Sequence, residues 1–256
     1  MKKIVITGAL GYIGTELCKL YSGFSWKYEV VAIDNRFISE RVNELKRRKI
    51  RFIQADILNL ETIKPFIEEA DIVHHLAGIT DVAYVKKESD KAKDDLTAKV
   101  AIEGTSNVLK SMNEEATIVF PSTHVVFEGL KKQKENLDEN EKTNTFLAYS
   151  TSKVENENQI IKSGKNYAIF RLGSVYGFST DTMRINIMPN LFSKIASQNG
   201  EIKLFGGGVQ LKSLVPLIDV ARCFKFVEEK NNFKNGIYNL SKENVTVKDV
   251  ADICKK

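Results

Sequence analysis

Tyr149 and Lys153 stand four residues apart in the run Tyr149-Ser150-Thr151-Ser152-Lys153. On a helix that spacing puts both side chains on one face. A phenol with an ordinary pKa of ~10 is too weak an acid to act as a base at neutral pH. A fixed ammonium beside it favours the phenolate. The pair therefore predicts a general base that takes a hydroxyl proton while hydride leaves the same carbon. Ser122-Thr123 follows the apolar run Ile118-Val119-Phe120. A hydroxyl there could hydrogen-bond the reacting oxygen and share the proton with Tyr149, and Thr123 is the preferred candidate. The plainer alternative for both is a turn after a strand.

A hydride needs an acceptor, and the N-terminus offers a place for one. Thr7-Gly8-Ala9-Leu10-Gly11-Tyr12-Ile13-Gly14 follows a β-branched run and opens a helical pattern. Gly8 suits a tight turn, Gly11 a close backbone approach to a pyrophosphate, and Gly14 close packing of helix on sheet. The helix N-terminus then presents unpaired N–H groups to the phosphates. Gly8, Gly11, Tyr12, Ile13 and Gly14 are the candidate contacts. Asp34 lies twenty residues beyond Gly14, at the end of Val30-Val31-Ala32-Ile33. A carboxylate there can accept both ribose hydroxyls and repel a 2′-phosphate, which predicts NAD over NADP. Arg36, two residues on, pulls the other way, since an arginine can pair with a 2′-phosphate. Asp56-Ile57, after a third apolar run, could hold the adenine edge; a helix cap ahead of Leu58 is an equal reading of Asp56.

The elements needed to hold these residues alternate along the chain. Ile4–Thr7, Val30–Ile33, Arg51–Gln54, Asp71–His75, Thr117–Phe120 and Tyr167–Arg171 read as strands. Amphipathic stretches near 12–22, 38–48, 59–68, 89–113 and 148–163 read as helices. Uniformly apolar strands spaced by helices predict a doubly wound parallel α/β sheet of the Rossmann kind. After Gly173 the texture changes. A turn-rich loop from Ser174 to Thr182 leads to a helix near 184–198 and short strands near 202–205 and 211–215. A helix from Asp219, a strand at Gly236–Leu240 and a helix from about Thr246 follow. The expectation is a dinucleotide domain over 1–173, including the catalytic helix. A smaller substrate lobe over 174–256 would be interleaved with the main sheet.

Composition narrows the function classes. Of 256 residues, 43% are hydrophobic and 28% charged, and 38 basic against 33 acidic residues give +5. That charge helps attract an anionic nucleotide and does not call for nucleic acid. The basic runs Lys46-Arg47-Arg48-Lys49 and Lys131-Lys132-Gln133-Lys134 lack interleaved aromatics and read as solvated surface. Cys18, Cys223 and Cys254 show no metal-type spacing, so no metal is expected, and sparse free thiols suit a cytoplasmic protein. No apolar run approaches membrane-spanning length, and no membrane partner is expected.

Together these motifs resemble the NAD-dependent epimerase/dehydratase family, the extended short-chain dehydrogenases that act on nucleotide sugars. The likeness runs from Met1 nearly to Lys256. It includes Asp34-Asn35, Asp56-Ile57 and His75-Leu76-Ala77-Gly78, and it implies that Asn35, Leu76, Ala77 and Gly78 lie beside the cofactor NAD. Gly104 to Leu109 resembles the family's long fourth helix, and Arg171 to Gly177 its loop at nicotinamide and substrate. Asn186-Ile187-Met188-Pro189 resembles a nucleotide-base contact. Leu204-Phe205-Gly206, Gln210-Leu211-Lys212 and Ile218-Asp219-Val220 resemble the substrate-lobe signature. The resemblance implies a nucleotide-diphosphate sugar as partner, touched by Thr123, His124, Ser174, Asn186, Phe205 and Lys212. A homodimer is left open.

Several positions depart from the family pattern. Family dehydratases carry Asp-Glu directly after the threonine, and decarboxylases keep the glutamate; this chain has His124 and Val125. Valine transfers no proton, which disfavours both chemistries; the resemblance implies epimerisation, at C4, as the expected reaction. His124 is equally a substrate contact or a turn histidine. Ser122 to Gly129 is also similar to reductases of keto-deoxysugars, the rival reaction, and a catalytically silent dinucleotide binder is the third reading. Ala101 replaces an asparagine, Ser174 another, and Lys212 an arginine whose bidentate geometry a lysine lacks. The family's late arginine and aspartate find no counterpart, so the substrate lobe is expected to be minimal or truncated.

Overall fold

A computed structural model of the chain describes residues 1–80, 90–131, 134, 136–230 and 233–255. Residue 89, Lys132 and Gln133, which belong to segments read above, lie outside the described residues. In chain order the elements are β1 (Lys2–Thr7), α1 (Tyr12–Ser22), β2 (Tyr28–Asp34), α2 (Ser39–Arg47), β3 (Arg51–Gln54), α3 (Leu60–Ile67), β4 (Ile72–His75) and α4 (Lys91–Ser111). There follow β5 (Thr117–Thr123), α5 (Ala148–Lys162), β6 (Asn166–Leu172), β7 (Ser174–Tyr176) and α6 (Met188–Ser197). The last are β8 (Leu211–Pro216), α7 (Leu217–Glu229), β9 (Gly236–Leu240), β10 (Glu243–Thr246) and α8 (Val247–Cys254).

Seven strands form one sheet in the order β3-β2-β1-β4-β5-β6-β9, every pair parallel. This is the doubly wound α/β arrangement, with its order reversing between β1 and β4. Alternate strand residues feed opposite faces. Ile4, Ile6, Val30, Ala32, Val119 and Phe170 pack with Leu17 and Tyr21 of α1 and with Val220 and Phe224 of α7. Val5, Ile33, Val73, Ile118 and Ile169 pack with Ile63 of α3, Val108 of α4 and Ile160 of α5. Burial on both faces explains why the strands carry no polar alternation.

A second sheet, β10-β8-β7, carries a smaller core of Phe192, Leu214, Val250 and Ala251. Residues 174–256 serve both layers: β9 completes the main sheet beside β6, and α7 packs against α1. Four local readings differ from the sequence expectation. Ser174–Tyr176 opens the expected loop as a strand, because β8 lies alongside in parallel register and overrides the local turn signal. The strand expected near 202–205 is irregular. Phe205–Gly208 is a 3-10 turn, where Gly206 and Gly207 at φ +58° and +72° take a left-handed path no strand follows. The helix expected from 184 starts at Met188, with proline in its first turn. Finally, β10 was not anticipated; it exists by antiparallel pairing with β8.

Candidate functional site

The glycine loop fits a dinucleotide pyrophosphate. Gly8 has φ +68°, and a Cβ there would stand 2.7 Å from the Ala77 nitrogen at the end of β4. A Cβ on Gly14 would meet the Gly8 carbonyl oxygen at 2.5 Å. Only glycine lets the turn, the neighbouring strand and helix α1 come this close. Gly11 caps α1 without any side-chain acceptor, so the first-turn amides at Tyr12, Ile13 and Gly14 open toward the loop.

At the end of β2 the carboxylate of Asp34 is nearly buried, and its Oδ2 accepts from Leu10 N at 3.0 Å. Its Oδ1 accepts from the Arg36 backbone N–H at 3.1 Å and from Arg36 Nε at 3.0 Å, while Nη2 reaches Oδ2 at 3.3 Å. The expected ribose acceptor therefore already carries a guanidinium. Asn35 Nδ2 donates to Asp56 Oδ2 at 3.1 Å, and Asp56 Oδ1 accepts from Leu58 N at 2.9 Å. Asp56 thus closes a turn onto Leu58 and does not cap α3 as the alternative reading had it; Asn59 holds the N-cap position, without a side-chain bond. Ile57 is buried against Gly104 of α4, where a Cβ would come within 2.3 Å of Ile57 Cδ1. Beside the loop, Leu76 N donates to Thr7 O at 3.1 Å and Ala77 N to Thr7 Oγ1 at 3.2 Å. Gly78 is exposed, and among the described residues nothing lies within 4 Å of its Cβ position.

The catalytic candidates converge at the C-terminal edge of β5, next to this loop. Thr123, the last residue of β5, is buried; its hydroxyl accepts from Val125 N at 3.2 Å and lowers the pKa of the Tyr149 phenol. The Lys153 ammonium lies 5.9 Å from the Tyr149 ring centroid and 4.3 Å from that of Phe120, and donates to Pro121 O at 2.7 Å. Burial pushes the Lys153 ammonium down to about 8, with Glu157 opposing. Burial also raises Tyr149; the charge of Arg184 and the Thr123 hydrogen bond pull it back in part. In the free protein desolvation thus outweighs the nearby Arg184 charge and keeps the phenol above its ordinary value.

Ser122 is turned away from this cluster. Its hydroxyl donates to Glu157, which forms a buried ion pair with Arg171 at 2.8 Å. A second buried chain runs from β1, ahead of the glycine loop, to α5. Thr7 Oγ1 meets His75 Nδ1 at 2.9 Å, His75 Nε2 meets Thr105 Oγ1 at 3.0 Å, and Asn156 Nδ2 donates to Thr105 Oγ1 at 2.8 Å. Burial, with Lys153 adding, pushes His75 down to about 3, so its ring stays neutral.

On the substrate side, His124 Nδ1 pairs with Leu172 O at 2.8 Å, and burial lowers its pKa while the field of Lys212 adds. Lys212 is exposed on β8, and Ser174 is half-buried at the start of β7. Asn186 is exposed before α6, and the Phe205 ring is 85% exposed in its turn.

Three positioning contacts escaped the sequence reading. Glu128 Oε1 accepts from Phe146 N at 3.1 Å, Leu147 N at 2.9 Å and the Ser150 hydroxyl, and so caps the helix that carries Tyr149. Arg184, on the loop before α6, donates to Thr80 O at 3.0 Å while facing Tyr149. Arg41 joins Leu10 O and Asp181 Oδ2, each at 2.7 Å, tying the glycine loop to that same loop. None of these pairs is local, so periodicity and short motifs carry no trace of them.

Comparison with known proteins agrees with this geometry. A putative UDP-glucose 4-epimerase of Methanocaldococcus jannaschii is 26% identical over 261 residues, covering 98% of this chain and 81% of that protein. A dTDP-D-glucose 4,6-dehydratase of Dictyostelium discoideum is 25% identical, covering 94% of this chain and 58% of that protein. Among solved structures, the UDP-glucose 4-epimerase of Thermotoga maritima with UDP-glucose superposes with a TM-score of 0.83 at 22% identity, covering 99% of this chain and 81% of that chain. The pattern of the NAD dependent epimerase/dehydratase family matches residues 4–241, which takes in the glycine loop, the threonine and the Tyr/Lys pair. The chain belongs to the NAD-dependent epimerase/dehydratase family, and NAD is its cofactor.

Proposed function

We propose that this protein epimerises a nucleotide-diphosphate sugar at C4 through a transient keto sugar. The observation that carries the reading is the placing of Tyr149 and Lys153 together at the edge of β5, where Thr123 ends the strand, with Val125 where a dehydratase needs a carboxylate. Tyr149 takes the proton of the sugar hydroxyl, Thr123 shares it, and Lys153 provides the cation that favours the phenolate. The glycine loop Gly8, Gly11 and Gly14 with Asp34 would hold NAD, which would supply a reversible hydride acceptor. Because burial holds the Tyr149 phenol protonated in the free protein, the base forms only once further positive charge joins the pocket. Residues 174–256 act as the substrate lobe, with His124, Ser174, Asn186, Phe205 and Lys212 as sugar-nucleotide contacts. Names of relatives support the substrate class, since both a putative 4-epimerase and a solved one align over nearly the whole chain.

Keto-sugar reduction is the second reading, favoured by Ser122 to Gly129. Incubation with catalytic NAD and a panel of nucleotide-diphosphate hexoses separates the two. Epimerisation accumulates a new hexose with no net change in NADH absorbance, and Tyr149→Phe abolishes it while leaving NAD affinity nearly intact. Stoichiometric NADH loss with a keto sugar, without hexose interconversion, would establish the reductase instead.

A further inference from the structure

The end of β2 presents an unusual charge to an incoming adenosine ribose. The Asp34 side chain, on which discrimination against a 2′-phosphate depends, is 3% exposed, whereas that of its partner Arg36 is 54% exposed. Both carboxylate oxygens are occupied: Oδ1 by the Arg36 N–H and Nε, Oδ2 by Leu10 N and Arg36 Nη2. What this strand end offers to solvent is a guanidinium.

We propose that Arg36 sets the dinucleotide choice of this site by masking Asp34, so that 2′-phosphorylated dinucleotides are accepted as well as NAD. A lone carboxylate here repels a 2′-phosphate, which carries about −1.5 to −2 charges at neutral pH. Paired with Arg36, it contributes little net field at the ribose. The other carboxylate nearby, Asp56, accepts from Asn35 Nδ2 and from Leu58 N. Asn35 is bound to Asp56, and Gln54 Nε2 donates to the Asn35 carbonyl at 3.2 Å. Arg41, the next cation along the chain, is held on Leu10 O and Asp181. The Arg36 fork can rotate from Asp34 onto a phosphate, exchanging one bidentate partner for another. With NAD it can stay on Asp34 or swing out and leave the carboxylate to the ribose hydroxyls. The inference concerns the dinucleotide site alone and stands apart from the sugar substrate.

The test is equilibrium titration of the purified protein with NAD and with NADP, read by intrinsic fluorescence and repeated at low and high salt. In the natural chain the two dissociation constants should lie within about tenfold of each other, with NADP binding falling more steeply as salt screens the pair. Arg36→Ala should raise the NADP-to-NAD ratio at least about tenfold, since it bares Asp34 and removes the phosphate partner. Arg36→Lys, which keeps the charge and loses the fork, should fall between them. A natural ratio above about a hundredfold, or a ratio that Arg36→Ala leaves unmoved, overturns the proposal.

Discussion

Replacing Lys153 with methionine should stabilise the protein at neutral pH while removing the cation on which the proposed chemistry relies. The fold takes this ammonium from an ordinary 10.5 down to about 8, chiefly by burial. A lysine whose folded pKa lies below its unfolded value is penalised in its charged form. The penalty is complete below pH 8 and disappears as pH rises from about 8 to about 10.5. A gap of about 2.5 in pKa corresponds to about 3 kcal/mol. Methionine has a similar length and carries no charge, but it leaves Pro121 O without the donor now at 2.7 Å, a loss of about 1 kcal/mol. The variant should therefore be about 2 kcal/mol more stable at pH 7 and about 1 kcal/mol less stable above pH 10.5. Urea unfolding of both proteins without dinucleotide, at unit steps from pH 7 to pH 10, gives the difference directly. Titrations shared by the two proteins cancel. A variant less stable by the same amount at every pH would refute the buried-charge argument.

Two further outcomes follow from packing. Gly14→Ala places a methyl 2.5 Å from Gly8 O and 2.8 Å from the Ala9 Cα, both backbone atoms that cannot swing aside; it should cost about 1–3 kcal/mol and weaken NAD binding at least about tenfold, by thermal melt and titration. Arg171→Met strands the buried Glu157 carboxylate, which should cost about 3–5 kcal/mol in urea unfolding, and adding Glu157→Gln should recover part of it.

The main sheet and its cofactor loop were legible because their signals are local. Glycine spacing, apolar strand runs and a helical Tyr/Lys pair each report on a few consecutive residues. Where pairing with a distant segment decides the structure, the sequence was silent: Ser174–Tyr176 is a strand only because β8 lies beside it. The environment of Tyr149 was hidden for a related reason. Spacing reveals which charge is near, but desolvation depends on everything packed around the ring. Asp34 was found and its occupation by Arg36 was not, although the two are only two residues apart. Whether a flexible guanidinium folds back on its own strand end is a tertiary outcome.

The seventh strand of the main sheet sets the order in which the molecule can be built. Strands β1 to β6 leave the ribosome first, yet β6 keeps an open hydrogen-bonding edge until residues 236–240 arrive to pair with it. One sheet face likewise waits for Val220 and Phe224 of α7 before its apolar surface is covered. Between those moments the nascent chain exposes an unpaired parallel edge beside bare hydrophobic surface, the combination that favours aggregation. Synthesis from the N-terminus therefore finishes the dinucleotide site early and its supporting wall late, and the interval between them is when a chaperone has most to do.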